Sequence, residues 1–112
     1  MVKSYTDIEQ SKKLAEILPV ESADMRYAPF GDTHPWFWDG HLLEKGATPC
    51  WSLAALIELM GECRMERTPL DQSGEFTYSF VDDYFNIRTF EEDNAVDAAV
   101  EIILKLKEKD LL

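Results

Sequence analysis

The sequence predicts an α+β fold in which about three helices pack on a small antiparallel sheet of two to four strands, in the order α-β-α-β-β-β-α. Three observations carry that reading. Apolar residues alternate with polar ones in the stretch opening at Glu75, and the apolar period becomes helical after Asn94. Capping residues, prolines and glycines divide the rest into short segments rather than long periodic runs. A chain of 112 residues with 46% hydrophobic and 12% aromatic content can build one modest core, so a single domain over 1–112 is expected despite a net charge of −11.

Each element has a local cause. Thr6-Asp-Ile-Glu9 has the form of a capping box and opens a helix whose apolar stripe is Ile8, Leu14, Ile17 and Leu18, with Pro19 as its stop. Ala23, Met25 and Tyr27 alternate with Asp24 and Arg26 and suit a short strand ending before Pro29. Thr48 as N-cap and Pro49 as first helical residue open a second helix carrying Leu53, Leu56, Ile57 and Met60 to Gly61. Glu75–Val81 and Tyr84–Phe90 form a hairpin that turns at Asp82-Asp83, to which Cys63 to Thr68 could add a third antiparallel strand through the turn-rich Leu70 to Gly74. In that register Phe76, Tyr78, Phe80, Phe85, Ile87 and Thr89 share the core face. Asp-Asp is a poor two-residue turn, which leaves a longer loop with the same pairing open. The last helix starts near Asn94, with Glu91 to Asp93 at its positive end and Lys105, Lys107 and Lys109 towards its negative end. Its apolar arc, Val96, Ala99, Val100 and Ile103 widened by Ala95, Ala98, Ile102 and Leu106, is broad enough for burial against both the sheet and another helix.

The N-terminus shows no signal-peptide pattern and the longest aliphatic run, Leu53 to Ile57, is far too short to span a membrane, so a cytoplasmic protein is expected. Two cysteines in such a chain, Cys50 and Cys63, read as free thiols. Asp71 to Glu101 holds nine carboxylates against Arg88 alone, a net −8 of the −11, which disfavours direct nucleic-acid binding. The α-β-β-β-α order of the tail resembles double-stranded-RNA-binding domains, but the basic residues needed to reach phosphates across two minor grooves are absent.

The segments His34-Pro-Trp-Phe-Trp-Asp-Gly40, Pro49-Cys-Trp-Ser-Leu-Ala-Ala55 and Asp97-Ala-Ala-Val-Glu-Ile-Ile-Leu-Lys105 resemble a group of small uncharacterised acidic proteins of gut Bacteroides and their mobile elements. The resemblance covers Tyr5 to Leu112. It implies a bacterial intracellular setting, and since the group has no assigned activity it implies no mechanism.

The densest cluster of chemically versatile residues runs from Phe30 to His41 and contains both histidines. Asp32, His34, Asp39 and His41 are candidate donors for a divalent metal, although their spacing matches no closed motif and such residues are common in turns. Trp36 and Trp38, if extended, point to one side with Phe37 opposite, either packing a core or forming an exposed aromatic edge for a ligand or homodimer. Cys50 in the first turn of a helix would gain thiolate character. Its Cys-Trp string resembles the helix start of papain-like proteases, but no histidine follows it, so a Cys50 hydrolase would have to use His34 or His41 in reversed order. No phosphate loop, glycosidase pair, serine-nucleophile motif or cofactor-binding signature is found.

The reading these residues favour is a small acidic binding or accessory module acting through a protein partner, a basic one being favoured by charge. Trp36, Trp38, Asp82, Asp83, Glu91 and Glu92 are the candidate contact residues. The alternatives are the cysteine-dependent hydrolase and an acidic inhibitor whose carboxylates imitate nucleic-acid phosphates.

Overall fold

A computed structural model of the protein describes residues 3–29, 34–40 and 42–112. Its elements are α1 (Ile8–Ala15), β1 (Met25–Tyr27), β2 (Trp36–Phe37), β3 (Thr48–Cys50), α2 (Leu53–Met60), β4 (Arg64–Pro69), β5 (Phe76–Asp82), β6 (Ile87–Arg88) and α3 (Ala95–Glu108), with a 3-10 turn at Val20–Ser22. The fold is α+β, as the sequence predicts, with three helices. Its strands form two antiparallel sheets, β2-β1-β3 and β4-β5-β6, because two short strands the sequence reading did not place lie between β1 and α2.

α1 begins one residue later than the Thr6 pattern suggests. Asp7 caps it, accepting from the Gln10 N–H at 2.8 Å while the Gln10 side chain accepts from the Asp7 N–H at 3.1 Å. Thr6 is wholly buried and its hydroxyl is taken up elsewhere: it bonds the Ser11 hydroxyl at 2.8 Å and accepts from the Trp51 N–H at 3.1 Å. β1 follows its alternation, with Met25 and Tyr27 buried against Cys50, Tyr5 and Ile8 in a small satellite core.

The second helix also starts later than its sequence signals. Thr48, Pro49 and Cys50 pair with Tyr27, Arg26 and Met25, and Ser52 caps α2 by accepting from the Ala55 N–H at 3.2 Å. Proline is tolerated in β3 because that strand forms the margin of its sheet, where a missing N–H costs no central ladder bond.

In the second sheet β4 pairs with β5 from Arg64↔Val81 to Pro69↔Phe76. The β5–β6 turn is longer than two residues and its pairing is displaced, with Asp82 facing Ile87 and Val81 facing Arg88. The Asp82 carboxylate accepts from the N–H groups of Tyr84 and Phe85 at 3.0 and 3.1 Å, and Asn86 adopts φ 57°, a conformation asparagine accepts more readily than most residues. Val81 therefore faces a residue four positions beyond the expected Tyr84. An even displacement keeps every side chain on its face. Phe80, Ile87 and Thr89 remain buried on the core side, while Phe85 leaves the ladder and is exposed.

α3 fills the centre, contacting β5 and β6 on one side and α2 on another. Val96, Ala98, Ala99, Val100, Ile102, Ile103 and Leu106 are all buried, which accounts for the breadth of its apolar arc. On the opposite sheet face Arg64 bonds Asp83 and Glu66 at 2.6 Å each, and Glu66 also pairs with Arg88. Arg64 and Arg88 flank Val81 across the strands, and Val81 and Ser79 are both buried on this face.

The end of α3 is a Schellman turn. The Leu111 N–H donates to the Leu106 carbonyl at 2.8 Å and the Asp110 N–H to that of Lys107 at 3.1 Å, with Asp110 in the left-handed region at φ 59°. Asp110→Gly removes this backbone strain and is expected to raise the unfolding free energy by about 0.5–1 kcal/mol, measurable as a higher denaturant midpoint at unchanged slope.

Candidate functional site

The sequence candidates are not gathered in one place. Trp36 and Phe37 form β2 and are 62% and 84% exposed, whereas Trp38 is half-buried against the main core and its backbone N–H donates to the Asp24 carbonyl at 3.0 Å. Trp36 is thus a surface residue and Trp38 a packing residue. His34 and Asp39 are exposed, while Asp32 and His41 lie outside the described residues. Among the described residues no three histidine, cysteine or carboxylate side chains converge as a metal centre would require.

Cys50 does not sit at a helix N-terminus. It ends β3, is wholly buried, donates to the Thr6 carbonyl at 3.4 Å and accepts from the Thr6 hydroxyl at 3.5 Å. Burial pushes its thiol above the ordinary range, outweighing hydrogen bonds from Thr6, Ser11 and Tyr27 that favour the thiolate. The Tyr27 hydroxyl donates to the same Thr6 carbonyl at 2.7 Å, so these side chains tie the N-terminal segment to β1 and β3. Cys50 and Cys63 are both free thiols.

The acidic candidates differ in their engagement. Asp82 organises the β5–β6 turn, and Asp83 is clamped by Arg64 through bonds of 2.6 and 3.2 Å. Glu91 is exposed. Glu92 is half-buried, its backbone bridging Tyr78, and its carboxyl is held above the ordinary range by burial and then by the negative charges of Glu101 and Asp97. Glu101 in turn accepts from the Phe90 N–H at 2.7 Å and lies 3.6 Å from Lys105. The carboxylates are therefore spread along the length of β5, with Glu75 and Asp93 near one end and Asp82 and Asp83 at the other.

The structure also forms a groove that the sequence reading missed. Its volume is about 390 Å³, and its apolar walls are Leu59 and Met60 from α2, Phe85 from the β5–β6 turn, Leu106 from α3, and Leu111 and Leu112 beyond it. Tyr84, 83% exposed, stands at the lip with its ring edge-to-face on Phe85 at 4.7 Å. Glu62 and Asp82 are the charged side chains of the lining, and both are acidic. Two local events make this groove. The longer turn releases Tyr84 and Phe85 from the ladder, and the Schellman turn folds Leu111 back beside Leu106.

Comparisons with protein-family models, curated proteins and solved structures yield no match. Among the described residues no helix is long and apolar enough to cross a membrane.

Proposed function

We propose that the chain is an acidic binding module that acts through a basic protein partner. The observation that supports this most directly is an excess of acidic over basic side chains: Glu92 sits against Glu101 and Asp97, which pair with Lys105 and Lys3, and Asp71, Glu75, Glu91 and Asp93 are exposed. Mutual repulsion of this kind lowers stability, and a cationic surface brought alongside would relieve it. We take the partner to belong to a bacterial intracellular setting, which the resemblance stated from the aromatic, Pro49–Ala55 and α3 segments implies.

The test is kinetic. A partner captured from the host should associate more slowly as salt is raised, because exposed charges are screened over about 8 Å at physiological ionic strength. Glu91→Gln with Glu92→Gln should slow association further while leaving the thermal midpoint the same or higher, since one of the two replacements relieves repulsion inside the fold. Association indifferent to both salt and these replacements would rule out docking through the carboxylates.

A further inference from the structure

The groove combines an apolar lining with a negative potential that has an identifiable source. α1 carries Lys12 and Lys13 in its last turn and α3 carries Lys105 and Lys107, each complementing the partial negative charge of a helix C-terminus. α2 has no basic residue there. Instead Glu58 lies in its last turn and Glu62 just beyond its end, both exposed, and this end forms one wall of the groove. Glu58 faces the negative end of the helix dipole, which is destabilising, and Glu62 adds a second carboxylate just beyond that end. Asp82 adds a third carboxylate across the groove.

We propose that this groove docks a segment of a protein partner in which a bulky aliphatic or aromatic side chain is flanked by lysine or arginine. The apolar side chain enters between Leu59, Leu106 and Phe85, Tyr84 closes over it, and the cation meets the C-terminus of α2 with Glu58 and Glu62. The proposal rests on the reading of the chain as a binder of basic partners and specifies where, and by what sequence chemistry, such a partner is held. It also accounts for a helix end whose charges oppose the dipole: the missing cation is supplied in trans.

Random peptides displayed on phage and selected on the full-length chain at low salt supply the probe. Recovered peptides should be enriched in an apolar residue adjacent to lysine or arginine. Their affinity should fall about tenfold or more in Tyr84→Ser/Phe85→Ser and in Glu58→Lys/Glu62→Lys, and change less than about twofold in Glu16→Gln/Glu21→Gln, exposed carboxylates far along the chain from both surfaces. Circular dichroism and thermal melting check that each variant is folded. The glutamate pair is exposed, so that variant keeps the test decisive if the aromatic pair perturbs the turn. Cationic peptides that respond to Glu91→Gln/Asp93→Asn and ignore both groove variants would overturn the groove while leaving the acidic-module reading intact. Apolar peptides without cations would overturn the occupant named here. No selected peptide, or peptides whose binding ignores salt, would overturn both readings.

Discussion

Phe80→Ala is expected to lower the unfolding free energy by about 3–5 kcal/mol, a large share of the roughly 5–15 kcal/mol that holds a domain together. Phe80 is 2% exposed, pairs with Met65 in the ladder, and belongs to the core that α3 closes. Its own N–H donates to the Thr89 hydroxyl at 2.9 Å and its carbonyl accepts from the Thr89 N–H at 3.0 Å. The backbone there is held on both sides of the side chain, so it can collapse little into the vacated space and the cavity term stays large. Urea unfolding followed by circular dichroism measures the loss. A value below about 1 kcal/mol would mean that α3 does not pack on this face of β5.

Trp51→Ala should cost at least as much, about 4–5 kcal/mol, because Trp51 is the largest wholly buried side chain. It also joins distant parts of the chain. The indole N–H donates to the Ser22 hydroxyl at 2.9 Å, and the Ser22 hydroxyl in turn donates to the Pro19 carbonyl at 2.6 Å, so the ring fixes the 3-10 turn after α1. Trp51→Phe separates the two contributions. It keeps most of the apolar contact, and the half-buried Ser22 can turn to water, so a cost of about 1–2 kcal/mol is expected. Equal losses in the two variants would place the stabilisation in the hydrogen bond rather than in packing.

What could be read from the sequence was what depends on side-chain period. The breadth of α3, the alternation of β1 and the parity of β5 all follow from which positions are apolar, and parity survived a displaced turn because the displacement was even. What could not be read was settled by tertiary competition for the same local signal. Thr6 and Thr48 have the side chains of N-caps, yet Thr6 is taken into a buried hydrogen-bond cluster and Thr48 into a strand, so Asp7 and Ser52 cap instead. Pro49 reads equally well as a helix start and as a sheet margin, and only the pairing with β1 decides. The groove was invisible for a related reason. It is assembled from Leu59, Phe85 and Leu111, which come from three elements, and each looks unremarkable in its own segment.

β4 has one further consequence, for how the protein behaves when crowded. It lies at the margin of its sheet and is exposed along nearly its whole length, with a row of backbone groups on its free side, which is the template from which cross-β stacks grow. A growing in-register stack would lay each Arg64 on another Arg64, each Glu66 on another Glu66 and each Arg67 on another Arg67. Pro69 would offer the incoming strand no N–H at all. The charges that form an ion-pair lattice within one molecule thus become a repulsive ladder between molecules, so the same residues favour the folded chain and penalise the first step of polymerisation.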